Sequence, residues 1–359
     1  MLNNEANLLP IPTCSKNSWP WEAEGVSVFF SDDIQWPKIS IVTPSFNQGK
    51  YIEETIRSVL LQNYPNLEYI IVDGGSTDET LEIIKKYEPW LTYWVSEPDK
   101  GQSHAINKGL EKCTGEIFNW LNSDDWYMPG ALFEVANAFL NHSTAQFVSG
   151  FENRIDQNGV VNLYTGTFLK PSIEETIDLC EVAQPSTFFK LDTIKKVHGV
   201  SEDLHYIFDA EMWVKLLLQY GQNHFVKIKM VLVNFRLHAD SKTVSNVVVN
   251  NFLFERSSII TDLKRYIKVP EKIINFYIEQ VYKTTKFYQL DRNWKFNHRV
   301  ISFKKLRIYY LKKYIMMQFI RGNRKDAIWG VKELLRDKSF DIFSIKSVLK
   351  LFIMKNKTN

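Results

Sequence analysis

A chain of 359 residues, 45% hydrophobic and 24% charged, has the length for one large catalytic core plus an appendage and the composition of an ordinary globular protein. Its apolar runs are broken by charge well short of the roughly 20 residues that cross a bilayer, its start lacks a basic-then-apolar leader pattern, and Cys14, Cys113 and Cys180 are too few and too scattered for a disulfide framework or a zinc cluster. A cytoplasmic protein is expected. The net charge of +3 hides an asymmetry: residues 301–359 carry 15 Lys or Arg against 4 Asp or Glu, which is +11 and leaves −8 for residues 1–300.

Residues 1–36, mixed in Pro, Trp and Asn, read as an irregular extension. Alternation then begins. KISIVTP (38–44) is a β-branched strand, and in YIEETIRSVLLQ the residues Ile52, Ile56, Val59 and Leu60 share one helical face. LEYIIVD (67–73) is a second strand, followed by two glycines and by Ser76 with Glu79 three residues on, a spacing that predicts a capping box opening the second helix. LTYWVSE, SHAINKGLEK and GEIFNWLN supply a third strand, a third helix and a fourth strand, so the first half predicts a parallel sheet with helical crossovers.

Beyond Asp125 the order changes. PGALFEVANAFL reads as a helix, and Asn158-Gly159 between two strand-like runs predicts a hairpin, which makes the sheet mixed. DAEMWVKLLLQYG is an amphipathic helix ended by Gly221, and HFVKIKMVLVNFRLH is a further strand. Residues 244–359 read as mostly helical.

In open α/β sheets, ligands bind at the carboxyl ends of the strands. Here those ends are Thr43-Pro44-Ser45-Phe46-Asn47, Asp73-Gly74-Gly75-Ser76, Glu97-Pro98-Asp99-Lys100-Gly101 and Asn122-Ser123-Asp124-Asp125, and parallel strands bring all four to one rim. Each alone is open to a plain reading as a turn or a helix cap. The adjacent carboxylates at the end of FNWLNSDD repel one another unless a cation or hydrogen-bond donors compensate them. Magnesium or manganese binds through one or two carboxylates plus the phosphates of its substrate, so Asp125 is expected as the metal ligand and Asp124 as an acceptor for ribose or sugar hydroxyls.

These segments resemble glycosyltransferase family 2, the inverting nucleotide-sugar transferases with the GT-A fold. The likeness runs over residues 37–240, from ISIVTPSFNQGKYIEETIRSVLLQNYPNLEYIIVDGGSTDET through SEPDKGQSHAINKGLEKCTGEIFNWLNSDD, and is thinner after Asp125. It implies that Pro44, Ser45 and Asn47 line the nucleotide pocket, that Asp73 and Asp99 contact uracil or ribose, and that Lys100 lies near the phosphates. Many family members are acidic where this chain has Asn122, which argues against three carboxylates on the metal. YIFDAEMWVKL resembles the family's segment with the catalytic base, so the likeness implies Asp209 as that base, with Glu211 the runner-up; residues two apart on a helix point to different sides, so they would not share the work. Asp209 also suits a helix cap. FRLHADSKT (235–243) looks like the late loop that closes over the diphosphate, and it implies Arg236 at the phosphates and His238 at phosphate or metal. AQPSTFF (183–189) matches the acceptor side loosely, through Gln184 and Ser186.

The resemblance therefore implies an inverting transfer from a nucleotide-diphosphate sugar, UDP first, to an acceptor hydroxyl on a carbohydrate or lipid-linked sugar, with Mn²⁺ or Mg²⁺. The expected organisation is 1–36 extension, 37–243 GT-A catalytic domain and 244–359 basic helical region. In that last region FKKLRIYYLKKYIMMQFIRGNRK interleaves bases with apolar residues, which suits an anionic membrane surface at the inner face of the cell membrane better than nucleic acid. Packing of this segment on its own catalytic domain is the other reading. The alternative function is a catalytically silent nucleotide-sugar-binding scaffold at a membrane assembly. No GxGxxG follows the first strand, and no Gly-rich, Arg-containing triphosphate loop stands near the amino end, so a dehydrogenase and a nucleotidyltransferase fit less well.

Overall fold

The computed structural model describes residues 9–13, 18–21, 34–156, 158–159, 161–164, 166–238, 246–282, 290, 292 and 294–336. Four strands, β1 (Ile39–Ser45), β2 (Leu67–Asp73), β3 (Tyr93–Ser96) and β4 (Ile117–Trp120), run parallel in the order β3-β2-β1-β4. Their crossovers are α1 (Gly49–Leu60), α2 (Thr80–Tyr87) and α3 (Gln102–Lys112). Along β1 and β2 the side chains alternate between two cores. Ile39, Ile41, Tyr69 and Ile71 join one, with Ile52, Ile56 and Val59 of α1, while Val42, Ile70 and Val72 join the other, with Ala105, Ile106 and Leu110 of α3. Burial on both faces explains why these strands read as nearly continuous apolar runs.

The second half adds β5 (Trp126–Tyr127), α4 (Ala131–Asn141), β6 (Phe147–Ile155), β7 (Val161–Tyr164), α5 (Ile173–Leu179), β8 (Thr187–Lys190), α6 (Leu191–Lys196), α7 (Phe208–Tyr220) and β9 (Phe225–Arg236). The sheet continues β4-β8-β6-β9-β5, with β7 paired to β6. β8 is antiparallel to both β4 and β6, which makes the sheet mixed. The hairpin expected at Asn158-Gly159 is β6–β7, and Gly159 sits at φ +75°, the left-handed region that glycine enters freely. Gly221, at φ +76°, ends α7.

One expectation gives way. The Ser76–Glu79 capping box does not form, and α2 begins at Thr80 with no side-chain cap. The Ser76 hydroxyl is instead drawn to Asp73 Oδ1 at 2.5 Å, a charge-assisted bond that outcompetes a neutral cap. The segment 183–189, loosely matched to the acceptor side, forms a short turn at Gln184–Ser186 and then enters β8.

Of the irregular extension, the described residues hold no helix or strand, yet they are anchored. Buried Arg57 donates from Nε to Pro20 O at 2.9 Å and from one terminal nitrogen to Pro10 O at 3.0 Å. At the other end, α8 (Asn246–Ile267), α9 (Glu271–Gln280), α10 (Phe303–Ile320) and α11 (Arg324–Arg336) follow. Ile260, Leu263, Ile274, Tyr277, Leu311 and Leu334 share one core with α3 and α7, so these helices pack on the sheet half. The exposed remainder includes Met316, Ile320, Ile328 and Leu335 among lysines and arginines. No helix among the described residues is long and apolar enough to cross a membrane.

Candidate active site

In the register of the parallel strands, Ser45 pairs with Asp73 and Asp73 with Ser96, so three polar residues form a row across the carboxyl rim. Asp73 is fully buried and its carboxylate is satisfied from within. Oδ2 accepts from Gly75 N at 3.1 Å, Ser76 N at 2.8 Å and Ser96 Oγ at 2.7 Å, and Oδ1 accepts from Ser76 Oγ. It thereby shapes the turn after β2. Asn47, at φ 51°, stitches that turn to β1: its amide donates to Ser76 Oγ at 2.7 Å and its Oδ1 accepts from Thr77 N at 2.9 Å. Asn tolerates this backbone region better than most residues. Pro44 is buried beside Ser45, whose buried Oγ has no hydrogen-bond partner among the described residues.

Asp99 folds back against the same turn. A Cβ at Gly74 would come within 2.9 Å of Asp99 Oδ2 and push that carboxylate aside, and Asp99 Oδ1 accepts from Gly101 N at 2.7 Å. Lys100 beside it is exposed.

The acidic pair closes β4. The Asp125 amide donates to Asn122 O at 3.1 Å, and Asn122 is held in turn by Gln102 Nε2 at 2.7 Å from its Oδ1. From far along the chain, the end of β9 reaches the same point. Arg236 N donates to Asp125 Oδ1 at 3.0 Å, Arg236 Nε donates to Asp124 O at 3.0 Å, and His238 Nε2 lies 2.9 Å from Asp124 Oδ2. The guanidinium also pairs with Glu54 at 2.7 Å and sits against the rings of Trp126 and Tyr51 at 4.4 and 4.9 Å, a cation–π arrangement. A cavity of 200 Å³ opens beside it, lined by Lys50, Tyr51, Glu54, Thr13 and Trp21. Asp240, Ser241, Lys242 and Thr243 lie outside the described residues.

Asp125 is 1% exposed. Burial, then the charge of Asp124, pushes its carboxyl well above the usual carboxylate range, and the Arg236 amide and the Arg236 charge only partly offset this. Glu152, on β6, adds a second negative neighbour. Among the described residues, no three His, Cys, Asp or Glu side chains gather into a cation cage. The donor set nevertheless fits a hard cation of the magnesium type, because that ion needs only one or two carboxylates when phosphates and waters complete its shell. A buried acid pushed toward its neutral form by a like charge is a site where a cation removes a penalty.

Asp209 lies in the first turn of α7, half-buried, with Oδ1 accepting from Ala210 N at 2.8 Å. The ring of its neighbour Phe208 lies 6.3 Å from that of Trp120, the last residue of β4. Glu211 points elsewhere. It is fully buried, accepts from Trp294 Nε1 at 3.1 Å, and pairs with Lys215 at 3.2 Å and with Arg292 at 3.6 Å. Gln184 and Ser186 are buried too: Gln184 Nε2 donates to Trp120 O at 2.7 Å and Asn119 Oδ1 at 2.8 Å, and Ser186 Oγ donates to Ala183 O at 3.2 Å. Gln184 thus ties the turn ahead of β8 to β4, while Ser186 bonds within that turn.

Sequence reasoning missed Glu54, Tyr51 and Trp126, the cage around Arg236. The only prior signal was that Tyr51 and Glu54 lie three apart on α1.

A parallel β3-β2-β1-β4 half with polar strand ends, a mixed second half and an acidic pair at the close of β4 define the GT-A class of α/β folds. Residues 40–191 match the description "Glycosyl transferase family 2". An uncharacterized glycosyltransferase of Rickettsia typhi is 32% identical over 198 residues, covering 50% of this chain and 59% of that protein. Another, of Rickettsia prowazekii, is 30% identical over 225 residues, covering 59% and 67%. The putative teichuronic acid biosynthesis glycosyltransferase TuaG of Bacillus subtilis is 36% identical over 118 residues, covering 32% and 47%. Among solved structures, S. aureus TarS 1–349 in complex with UDP-GlcNAc is similar at 17% identity and a TM-score of 0.47, covering 78% of this chain and 81% of that one. The chain belongs to glycosyltransferase family 2, and it spans about three fifths of the first of these relatives.

Proposed function

We propose that this chain transfers a sugar from a nucleotide-diphosphate sugar, UDP being the first nucleotide to try, to an acceptor hydroxyl with inversion at the anomeric carbon. The observation that carries the proposal is the meeting of Arg236 and His238 with Asp124 and Asp125 at the rim formed by the strand ends. Ser45, with its unpartnered buried hydroxyl, and Pro44, Asn47 and Asp99 are assigned to the nucleoside, with Asp73 holding their loops in register. Lys100 and Arg236 are assigned to the diphosphate.

Asp125, with Asp124 and His238 beside it, would hold manganese or magnesium, which when bound supplies positive charge for the departing diphosphate. Asp124 is the acceptor for a ribose or sugar hydroxyl once His238 turns from it. Asp209 takes the proton from the acceptor oxygen as that oxygen attacks the anomeric carbon and the bond to the diphosphate breaks. Burial of Asp125 keeps water from that carboxylate, which strengthens its interactions.

The name of the teichuronic acid relative supports an envelope polysaccharide or a lipid-linked sugar as acceptor. The exposed apolar and basic residues of α10 and α11 support attachment to an anionic membrane at its cytoplasmic face.

The test is to incubate the protein and manganese with a panel of UDP-, GDP- and dTDP-sugars and follow release of the nucleotide diphosphate. Release from one donor, abolished by EDTA, is expected. No release from any donor, with no binding of nucleotide, would favour a chain without this chemistry.

A further inference from the structure

A polar stripe runs down α8. Asn251, Glu255, Ser258 and Asp262 are spaced four, three and four apart, which puts them on one face of the helix. That face meets α7 and the segment leading into it. Asn251 Nδ2 donates to Tyr206 Oη at 3.1 Å. Arg292 ties Ser258 Oγ at 2.7 Å and Asp262 Oδ2 at 2.6 Å to buried Glu211 of α7.

Glu255 makes the densest contact. Its Oε1 accepts from His205 N at 2.9 Å, and its Oε2 accepts from Tyr206 N at 2.8 Å and Ile207 N at 3.1 Å. Three successive amides thus converge on one carboxylate that is 5% exposed. Consecutive N–H groups aimed at one point form an anion-holding concavity, and a helix N-terminus favours negative charge there. α7 has no side-chain cap of its own at Ile207, so this carboxylate from a distant helix fixes where the helix starts. Asp209 is two residues further on.

We propose that Glu255 is a positioning residue for Asp209, so that the helical region after β9 completes the active site. The inference rests on the reading of Asp209 as the general base. A carboxylate working on a bound hydroxyl must be held closely, and misplacement by about 1 Å costs on the order of 100-fold in rate. Glu255 sets that position through the backbone and touches no substrate.

The test compares Glu255→Gln, which keeps one acceptor oxygen, with Glu255→Met, which keeps the volume and loses both. Each is made in the full chain and in the Asp209→Asn background. UDP with manganese is the binding probe, and release of UDP from the donor that the panel selects is the turnover probe. The expected result is a fall in kcat of about tenfold for Glu255→Gln and about 100-fold for Glu255→Met. The KM for the donor and the Kd for UDP stay within about twofold, because the donor side is not moved. In the Asp209→Asn background neither change should cost further turnover, since coupled residues are non-additive; a merely structural role would lower both backgrounds alike.

Full kcat in both folded Glu255 variants, with Asp209→Asn inactive, overturns the positioning role and leaves the base assignment standing. Wild-type turnover in Asp209→Asn overturns the base assignment and the inference with it. A check that needs no variant is hydrogen exchange at the amides of 205–207 in the unsubstituted chain. These should be protected, and exchange at the rate of a free amide would sink the proposal.

Discussion

Trp120 and Phe208, 88 positions apart in sequence, have ring centroids 6.3 Å apart, and this contact ties the first turn of α7 to the end of β4. Trp120 leads into Asn122, Asp124 and Asp125, while Phe208 immediately precedes Asp209. The proposed metal and phosphate side and the proposed base are thus carried on two elements locked by one aromatic pair in a buried core. Such a lock fixes separation without adding charge to the site.

Replacing Asp209 by Asn removes the proton acceptor at nearly constant shape. Turnover should fall by about 100-fold or more while UDP binding in manganese is preserved. Steady-state kinetics alongside calorimetry decide the point, and an unchanged kcat would take Asp209 out of the role.

Asp125→Asn removes the proposed metal ligand but keeps the acceptor for the Arg236 amide. Loss of turnover by roughly 100- to 1000-fold is expected, with the melting transition retained. In the unsubstituted chain, EDTA should produce the same loss and manganese should reverse it. Activity that persists in EDTA would exclude a divalent ion from the reaction.

Glu68 offers a pH signature away from the site. Burial alone would raise its carboxyl, but Lys38 at 2.8 Å, the hydroxyls of Ser40 and Thr114, and the Thr114 amide outweigh it and hold the group at about 2, below its ordinary 4.5. A depressed carboxyl favours the folded state wherever it is ionised in both states, so its contribution is complete above about pH 4.5 and is lost as pH falls toward 2. Thermal melts of Glu68→Gln should show a shallower acid slope across that window than the unsubstituted chain. Identical slopes would mean that Glu68 does not carry the effect.

The exposed face of α10 and α11 should hold the chain to vesicles containing phosphatidylglycerol but not to phosphatidylcholine alone. Each lysine near an anionic surface contributes about 1 kcal/mol, and the contribution is screened by salt. Changing Lys304, Lys305, Lys325 and Lys332 together to Glu should abolish co-sedimentation at low ionic strength. Equal sedimentation of the substituted and unsubstituted chains would refute an electrostatic attachment.

The βαβ half was legible because β1, β2 and β4 are buried on both faces and its turns carry glycine, and the bounds of β2 coincide with LEYIIVD. The convergence of the polar strand ends followed from parallelism alone. β8 was not legible: TFFK is four residues long and follows Pro185, so neither length nor periodicity separates it from a loop. The Ser76–Glu79 spacing misled because spacing says nothing of a competing acceptor, here Asp73 Oδ1. Gln184 and Ser186 entered only through a loose likeness to the family's acceptor side, and their burial beside β4 and β6 follows from the tertiary pairing of β8, which local sequence does not carry. The stripe Asn251, Glu255, Ser258 and Asp262 was visible as a pattern, but a polar stripe ordinarily faces water. The partners that turn it inward lie some 50 residues upstream and in the segment around Arg292.

Arg57 has a consequence for the opening stretch of the chain. A guanidinium cannot shed its proton, and this one, 1% exposed, relies on the peptide oxygens of Pro10 and Pro20 as well as the Tyr87 hydroxyl. The prologue ahead of the first strand therefore works as a stopper whose peptide dipoles help solvate a buried cation. Shaving it away to reach a tidier α/β unit would strip both peptide acceptors from the guanidinium and open the ground beneath them to water, and the trimmed protein would be a weaker one.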